Sequence, residues 1–154
     1  MNFGESLNNI CRDLPNIVSP YLIAPAFGYL IAQFAKIITY FIKYKKLDWR
    51  EFFRSGGMPS SHSATVMALT TTIGVKQGFG SPIFAIALIF AIIVIYDATH
   101  VRRATGEQGT AINELIGDNK RVKKPYFSRG HKPLEAIVGS IIGILIGAVV
   151  VLIM

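Results

Sequence analysis

The short stretch GGMPSSHSA, Gly56 to Ala64, puts a histidine beside two glycines, a proline and three serines. Such a backbone turns sharply and exposes N–H groups, and Ser60, Ser61 or Ser63 can start a helix. A helix start with unpaired donors and the positive end of its dipole suits an anion, and His62 would then stand beside whatever anion binds. A capped helix with a surface histidine fits the same residues equally well. A second histidine, His131, is followed four residues later by Glu135. On a helix that spacing lets the carboxylate reach the imidazole, which fixes the tautomer and leaves the other ring nitrogen free as nucleophile or base. An interfacial pair without chemistry is the plainer reading.

Charges within apolar stretches form the other half of the pattern. Lys36 follows Ala24, Gly28 and Ala32 at steps of four, a ridge of small residues that invites a neighbouring helix. A lysine on that ridge points into a helix bundle and is a functional candidate, unless it snorkels to the membrane surface. The segment DATHVRR closes another apolar run and carries Asp97, Arg102 and Arg103. Donors for phosphate oxygens, a nucleophile and an acid for a leaving group are the parts of phosphoryl transfer.

The elements that must position these residues are membrane helices. Of 154 residues 51% are hydrophobic and only 16% charged, and the charges fall in blocks between long apolar runs. We read spans at Ile17 to Ile42, Gly80 to Thr99 and Pro133 to Met154, each long enough to cross about 30 Å of hydrocarbon. A shorter run rich in Ser, Thr and Ala, His62 to Val75, reads as a fourth span inside the bundle, with a re-entrant segment as the alternative. Ala104 to Ile116 reads as an amphipathic surface helix with Ala111, Ile112, Leu115 and Ile116 on one side. The expected fold is an all-α, small polytopic transmembrane bundle of about four spans plus that surface helix, one domain over residues 1–154. His131, Glu135, Gly139, Gly143 and Gly147 repeat at steps of four, giving the last helix two overlapping GxxxG patterns. With four spans, the loops before His62 and before His131 emerge on one face, so the two histidines can meet.

A net charge of +7 is explained by lipid headgroups and membrane orientation, and nucleic acid is not expected as a partner. Five of the 16 Lys and Arg residues lie between Lys43 and Arg54 and eight between Arg102 and Lys132, leaving Arg12, Lys36 and Lys76 elsewhere. By the positive-inside rule both histidine loops are expected to be cytoplasmic, in an inner or plasma membrane. Cys11 is single, so neither a disulfide framework nor a cysteine metal site is available.

GGMPSSHSA, DATHVRRATGEQ and GHKPLEAIVGSIIG, taken in this order, resemble the type-2 phosphatidic acid phosphatase superfamily. The likeness is greatest to its divergent small branch described as acid phosphatase/vanadium-dependent haloperoxidase-related. Pro59-Ser60-Ser61-His62 matches the family's Pro-Ser-Gly-His motif with Ser61 in place of glycine. His131 and Glu135 match its final His and Asp, with glutamate in place of aspartate, and Arg102 or Arg103 is similar to its arginine, although 27 residues separate Arg103 from His131. Arg129 is nearer in sequence, but Arg102 and Arg103 end a span, where the family's arginine stands. For the family's first lysine, Lys36 is preferred over Lys43.

The resemblance implies that His131 attacks phosphorus and forms a phosphohistidine, that Glu135 stabilises its imidazolium, and that His62 protonates the leaving oxygen and then activates water. It implies phosphate binding by Lys36, Arg102, Arg103 and the backbone around Ser60, Ser61 and Ser63. No metal and no cofactor are implied. The expected activity is hydrolysis of a lipid phosphomonoester or pyrophosphate, such as phosphatidylglycerol phosphate, with membrane lipids and a second copy of the chain as partners. The alternative is a non-catalytic lipid-phosphate binding or transport protein.

Overall fold

The computed structural model describes residues 19–46, 56–117, 119, 121–127 and 129–154. Cys11, Arg12, Ile17, Arg54 and Lys120 lie outside the described residues. Serine starts three of the helices. Ser19 caps α1 (Pro20–Tyr44), its hydroxyl accepting the Tyr21 N–H at 3.2 Å. Ser60 caps α2 (Ser61–Gln77) through the Ser63 N–H at 3.3 Å. Ser81 caps α3 (Pro82–Tyr96) through Phe84 at 3.2 Å. Proline at the first position of α1 and α3 costs no hydrogen bond, because that N–H has no partner within the helix. After Tyr96 the chain makes one π-helical turn, Asp97–Val101, and runs on as α4 (Arg102–Ile116). The last helix, α5 (Pro133–Ile153), completes the bundle.

Small residues set how these helices pack. On α5, a side chain added at Gly139, Gly143 or Gly147 would meet the backbone of Ser60, Ala64 or Ala68 of α2 respectively. Both series advance by four, so α2 and α5 run parallel in register with their backbones in contact. Helix α1 runs the other way: Lys36 lies beside Gly57, Gly28 faces Ala64 and Ala68, and the Tyr21 hydroxyl accepts a hydrogen bond from Gln77 at 2.5 Å. α3 is also antiparallel to α2, with Phe84 against Gly74 and the Ala87 carbonyl accepting from Thr70 at 3.3 Å. Ala24, Ala68 and Val150 form the centre, while Phe27, Ile86 and Leu145 face outward. That inversion of ordinary burial is what a lipid solvent demands.

Among the described residues, three helical stretches are long and apolar enough to cross a membrane: Pro20–Tyr44, Pro82–Ile116 and Pro133–Ile153. α2 is shorter and is not among these stretches, and it runs as continuous helix from the level of Lys36 to that of Tyr21. Its hydroxyls are satisfied locally, with Thr65, Thr70 and Thr72 bonded to the carbonyls of Ser61, Val66 and Ala68 at 2.7 to 2.8 Å. The amphipathic helix expected at Ala104 to Ile116 is present as α4. No glycine or proline interrupts Tyr96 to Ala104, so α4 is joined to the third span through the π-helical turn as one helical run of 35 residues, about 50 Å at the usual rise. Its outer part leaves Leu115 88% exposed.

Candidate active site

α2 and α5 begin at the same end of the bundle, where α1 and α3 finish. Their register brings the histidines together: the Ser60 N–H bonds to the Glu135 carbonyl at 3.0 Å, one residue before α2 starts. The His62 and His131 rings meet edge to face with centroids 6.4 Å apart. His131 is held from three sides. Its backbone N–H bonds to the Ala98 carbonyl in the π-helical turn at 2.9 Å, its Nδ1 lies 3.1 Å from Glu135 Oε2, and the ring is only 2% exposed. Glu135 Oε2 also accepts the Lys132 N–H at 3.1 Å, as a carboxylate in a first helical turn commonly does. The carboxylate therefore spans the helix start and the imidazole, and fixes which ring nitrogen carries the proton.

Burial, and to a lesser degree the Lys36 charge, pushes the His131 imidazole below its ordinary value, against the upward pull of its hydrogen bond and charge interaction with Glu135 and of a hydrogen bond to the Gly57 backbone. The ring is accordingly neutral at neutral pH. Lys36 is 3% exposed and acts electrostatically on both His62 and His131. A buried ammonium two turns inside a membrane helix is costly, and the glycine corner covers its stem: a Cβ on Gly57 would stand 3.7 Å from Lys36 Cγ. Gly56 and Gly57 both have positive φ, 93° and 86°. Gly56 uses that freedom to lie against Arg129 and Gly130. Thr39 fastens α1 to the same corner by a 2.7 Å bond to the Met58 carbonyl.

The structure brings all the expected site residues to this end, in different roles. Ser60 and Ser63 are buried and bonded to each other at 3.0 Å, so they build the helix start, with Ser61 buried next to them. Arg102 acts electrostatically on His62 while its Nε pairs with Asp97 at 2.6 Å. Arg103 pairs with Glu107 at 3.0 Å, and its backbone packs against Gly130.

Two clefts open near His131, which itself lines the smaller one. One, ≈ 620 Å³, is walled by Lys36, Tyr40 and Lys43 of α1, Gly56 and Gly57, and Arg129, Lys132 and Glu135. The other, ≈ 250 Å³, lies between α4 and the chain before α5 and includes Arg103, Thr110, Arg129 and His131. Arg129 borders both. Sequence reasoning set it aside in favour of the arginines ending the third span; its position two residues before His131 was the signal for it. Lys132, which sequence reading treats only as a topology charge, and Lys43, the second choice for the first lysine, both line the larger cleft.

Comparison with known proteins gives the family. The family described as the divergent PAP2 family matches residues 17–146. The uncharacterized membrane protein YuiD of Bacillus subtilis (strain 168) is 40% identical, over 81% of this chain and 89% of that protein. No solved structure matches.

Proposed function

The chain belongs to the divergent PAP2 family, and on that premise we propose that it is a membrane-embedded lipid phosphate phosphatase working through a phosphohistidine. One observation carries the reading: a buried His131, bonded through Nδ1 to Glu135, faces His62 across 6.4 Å, and its chain neighbours Gly130 and Lys132 line a cleft together with Glu135 and buried Lys36. With the Nδ1 proton directed at Glu135, Nε2 keeps its lone pair and attacks phosphorus. The P–N bond forms as the P–O bond breaks, and protonated His62 gives its proton to the leaving oxygen. In the second half His62 takes a proton from water, whose oxygen attacks phosphorus and expels His131. Lys36 and Arg129 balance the phosphoryl charge, supported by Arg102, Arg103 and the N–H groups of Ser61 and His62 at the start of α2. Glu135 stabilises the imidazolium formed when His131 is phosphorylated.

The basic residues of both loops favour a cytoplasmic site, and with it an inner-leaflet substrate such as phosphatidylglycerol phosphate. Purified protein assayed on phosphatidic acid, phosphatidylglycerol phosphate and polyprenyl pyrophosphate, with chelator present, is expected to release phosphate from at least one of them. Vanadate should inhibit, and His131→Ala should be inactive. Saturable lipid-phosphate binding with no phosphate released would instead support the binding or transport reading. Single cysteines at Lys124 and Gly78, both exposed, introduced in a Cys11→Ser background, test orientation in intact cells: an impermeant thiol reagent should label position 78 and spare 124. The reverse pattern would place the site on the outer face.

A further inference from the structure

The helices that wall the basic cleft, α1 and α5, also wall a second cleft farther from the site. It is ≈ 480 Å³ and lined only by apolar side chains, among them Ile23, Phe27 and Ile31 of α1 and Leu145 and Val149 of α5. Counted along α1 from Lys36, Ile31 lies about 8 Å away and Ile23 about 20 Å. Since half the hydrocarbon thickness is about 15 Å, this is the depth that a long apolar chain reaches from a phosphate held at the lysine. We propose that the α1–α5 seam is the track of the substrate's long acyl or prenyl chain, its phosphate in the basic cleft and its chain in the apolar one. The proposal rests on the lipid-phosphate reading above and adds the route by which such a lipid lies on the protein.

Charge singles out this seam among the lipid-facing surfaces. Its site end carries Lys36, Lys43, Arg129 and Lys132 against Glu135. α3 also exposes apolar side chains, Ile86, Ile89 and Ile93, but the cations at its site end, Arg102 and Arg103, are paired with Asp97 and Glu107, so it attracts a phosphate less than the seam, where four cations face one carboxylate. A chain already in lipid gains nothing from hydrophobic transfer into a membrane groove. The headgroup therefore supplies the affinity, and the groove aligns the chain.

The test is photolabelling of the full chain in nanodiscs with an acyl glycerol phosphate bearing a mid-chain diazirine, beside the same probe lacking phosphate. The phosphate probe should label Ile23 to Ile31 and Leu145 to Val149 severalfold above Ile86 to Ile93, and the neutral probe should label all three alike. Lys36→Ala should bring the phosphate probe to the neutral pattern. Even labelling of α3 and the seam by the phosphate probe, or seam preference by both probes, would overturn the track. Labelling needs no turnover, so a protein that releases no phosphate yet shows the headgroup-dependent pattern refutes the phosphatase reading alone.

Discussion

The two histidines and the two span-ending arginines reach the same end of the bundle on different foundations. α2 and α5 are parallel, held backbone to backbone by Gly139, Gly143 and Gly147. Their starts are joined by the bond from Ser60 to Glu135, so His62 and His131 are placed by main chain with little freedom to drift. Arg102 and Arg103 sit just past a π-helical turn, half exposed and paired with Asp97 and Glu107. Their guanidiniums can move without disturbing a helix. Groups that exchange bonds or protons need fixed distances, whereas long cationic side chains can follow a phosphate. The fold is rigid where chemistry would be done and compliant where charge would be balanced.

If this contrast is right, damage to the rigid pair should cost most. His131→Ala removes the nucleophile, and turnover should fall by at least about 10³-fold while the protein still folds. Near-normal release of phosphate from the preferred lipid would end the nucleophile assignment. Gly143→Leu attacks the seam instead of the chemistry. Its side chain would be driven into the Ala64 backbone, which cannot yield as a flexible side chain does, and overpacking of this kind costs about 1–3 kcal/mol or more. Melting in detergent should move clearly downward. An unchanged midpoint would mean that the seam does not hold the histidines.

The rigid half was far more legible in the sequence than the compliant half. Steps of four in Gly139, Gly143 and Gly147, and the His131–Glu135 spacing, are helix-periodic signals that survive folding unchanged. The placement of Ser60 and His62 at a helix start followed from capping chemistry. The continuation of the third span was hidden because Asp97 to Arg103 is polar, and polarity reads as the end of a span even where the backbone stays helical. The place of Arg129 was only partly legible. Its position two residues before His131 was a signal, but its placement at the larger cleft depends on Gly56 lying against the chain before α5, a contact between segments some seventy residues apart that no local pattern encodes.

The arginines give the contrast its sharper test. Arg129 borders both clefts beside His131, so Arg129→Ala should lower kcat/KM by about 10–100-fold, the loss of one charged hydrogen bond. Arg102→Ala should cost less, since its guanidinium is shared with Asp97. If Arg102→Ala is the more damaging, the long helix grips the phosphate and the compliant half is misassigned.

The smallest effect concerns the pH at which the rigid half becomes competent. The neutral His131 ring is the nucleophile, so activity on the acid side rises with pH through its pKa. Burial lowers that pKa from the ordinary 6.5 and Glu135 raises it in part, which puts the acid limb of kcat/KM below 6.5. Glu135→Gln removes the charge that favours the protonated ring while an amide oxygen can still orient it. The limb should therefore move further down, and the variant, though slower on its plateau, should retain a larger fraction of its own maximum at acid pH than the wild type does. The plateau loss should be well short of that in His131→Ala, because the nucleophile remains and only the balance of its imidazolium charge is gone. An acid limb that stays in place or moves upward would mean that Glu135 does not act on His131 electrostatically, and would reduce the pair to a structural contact at the start of α5.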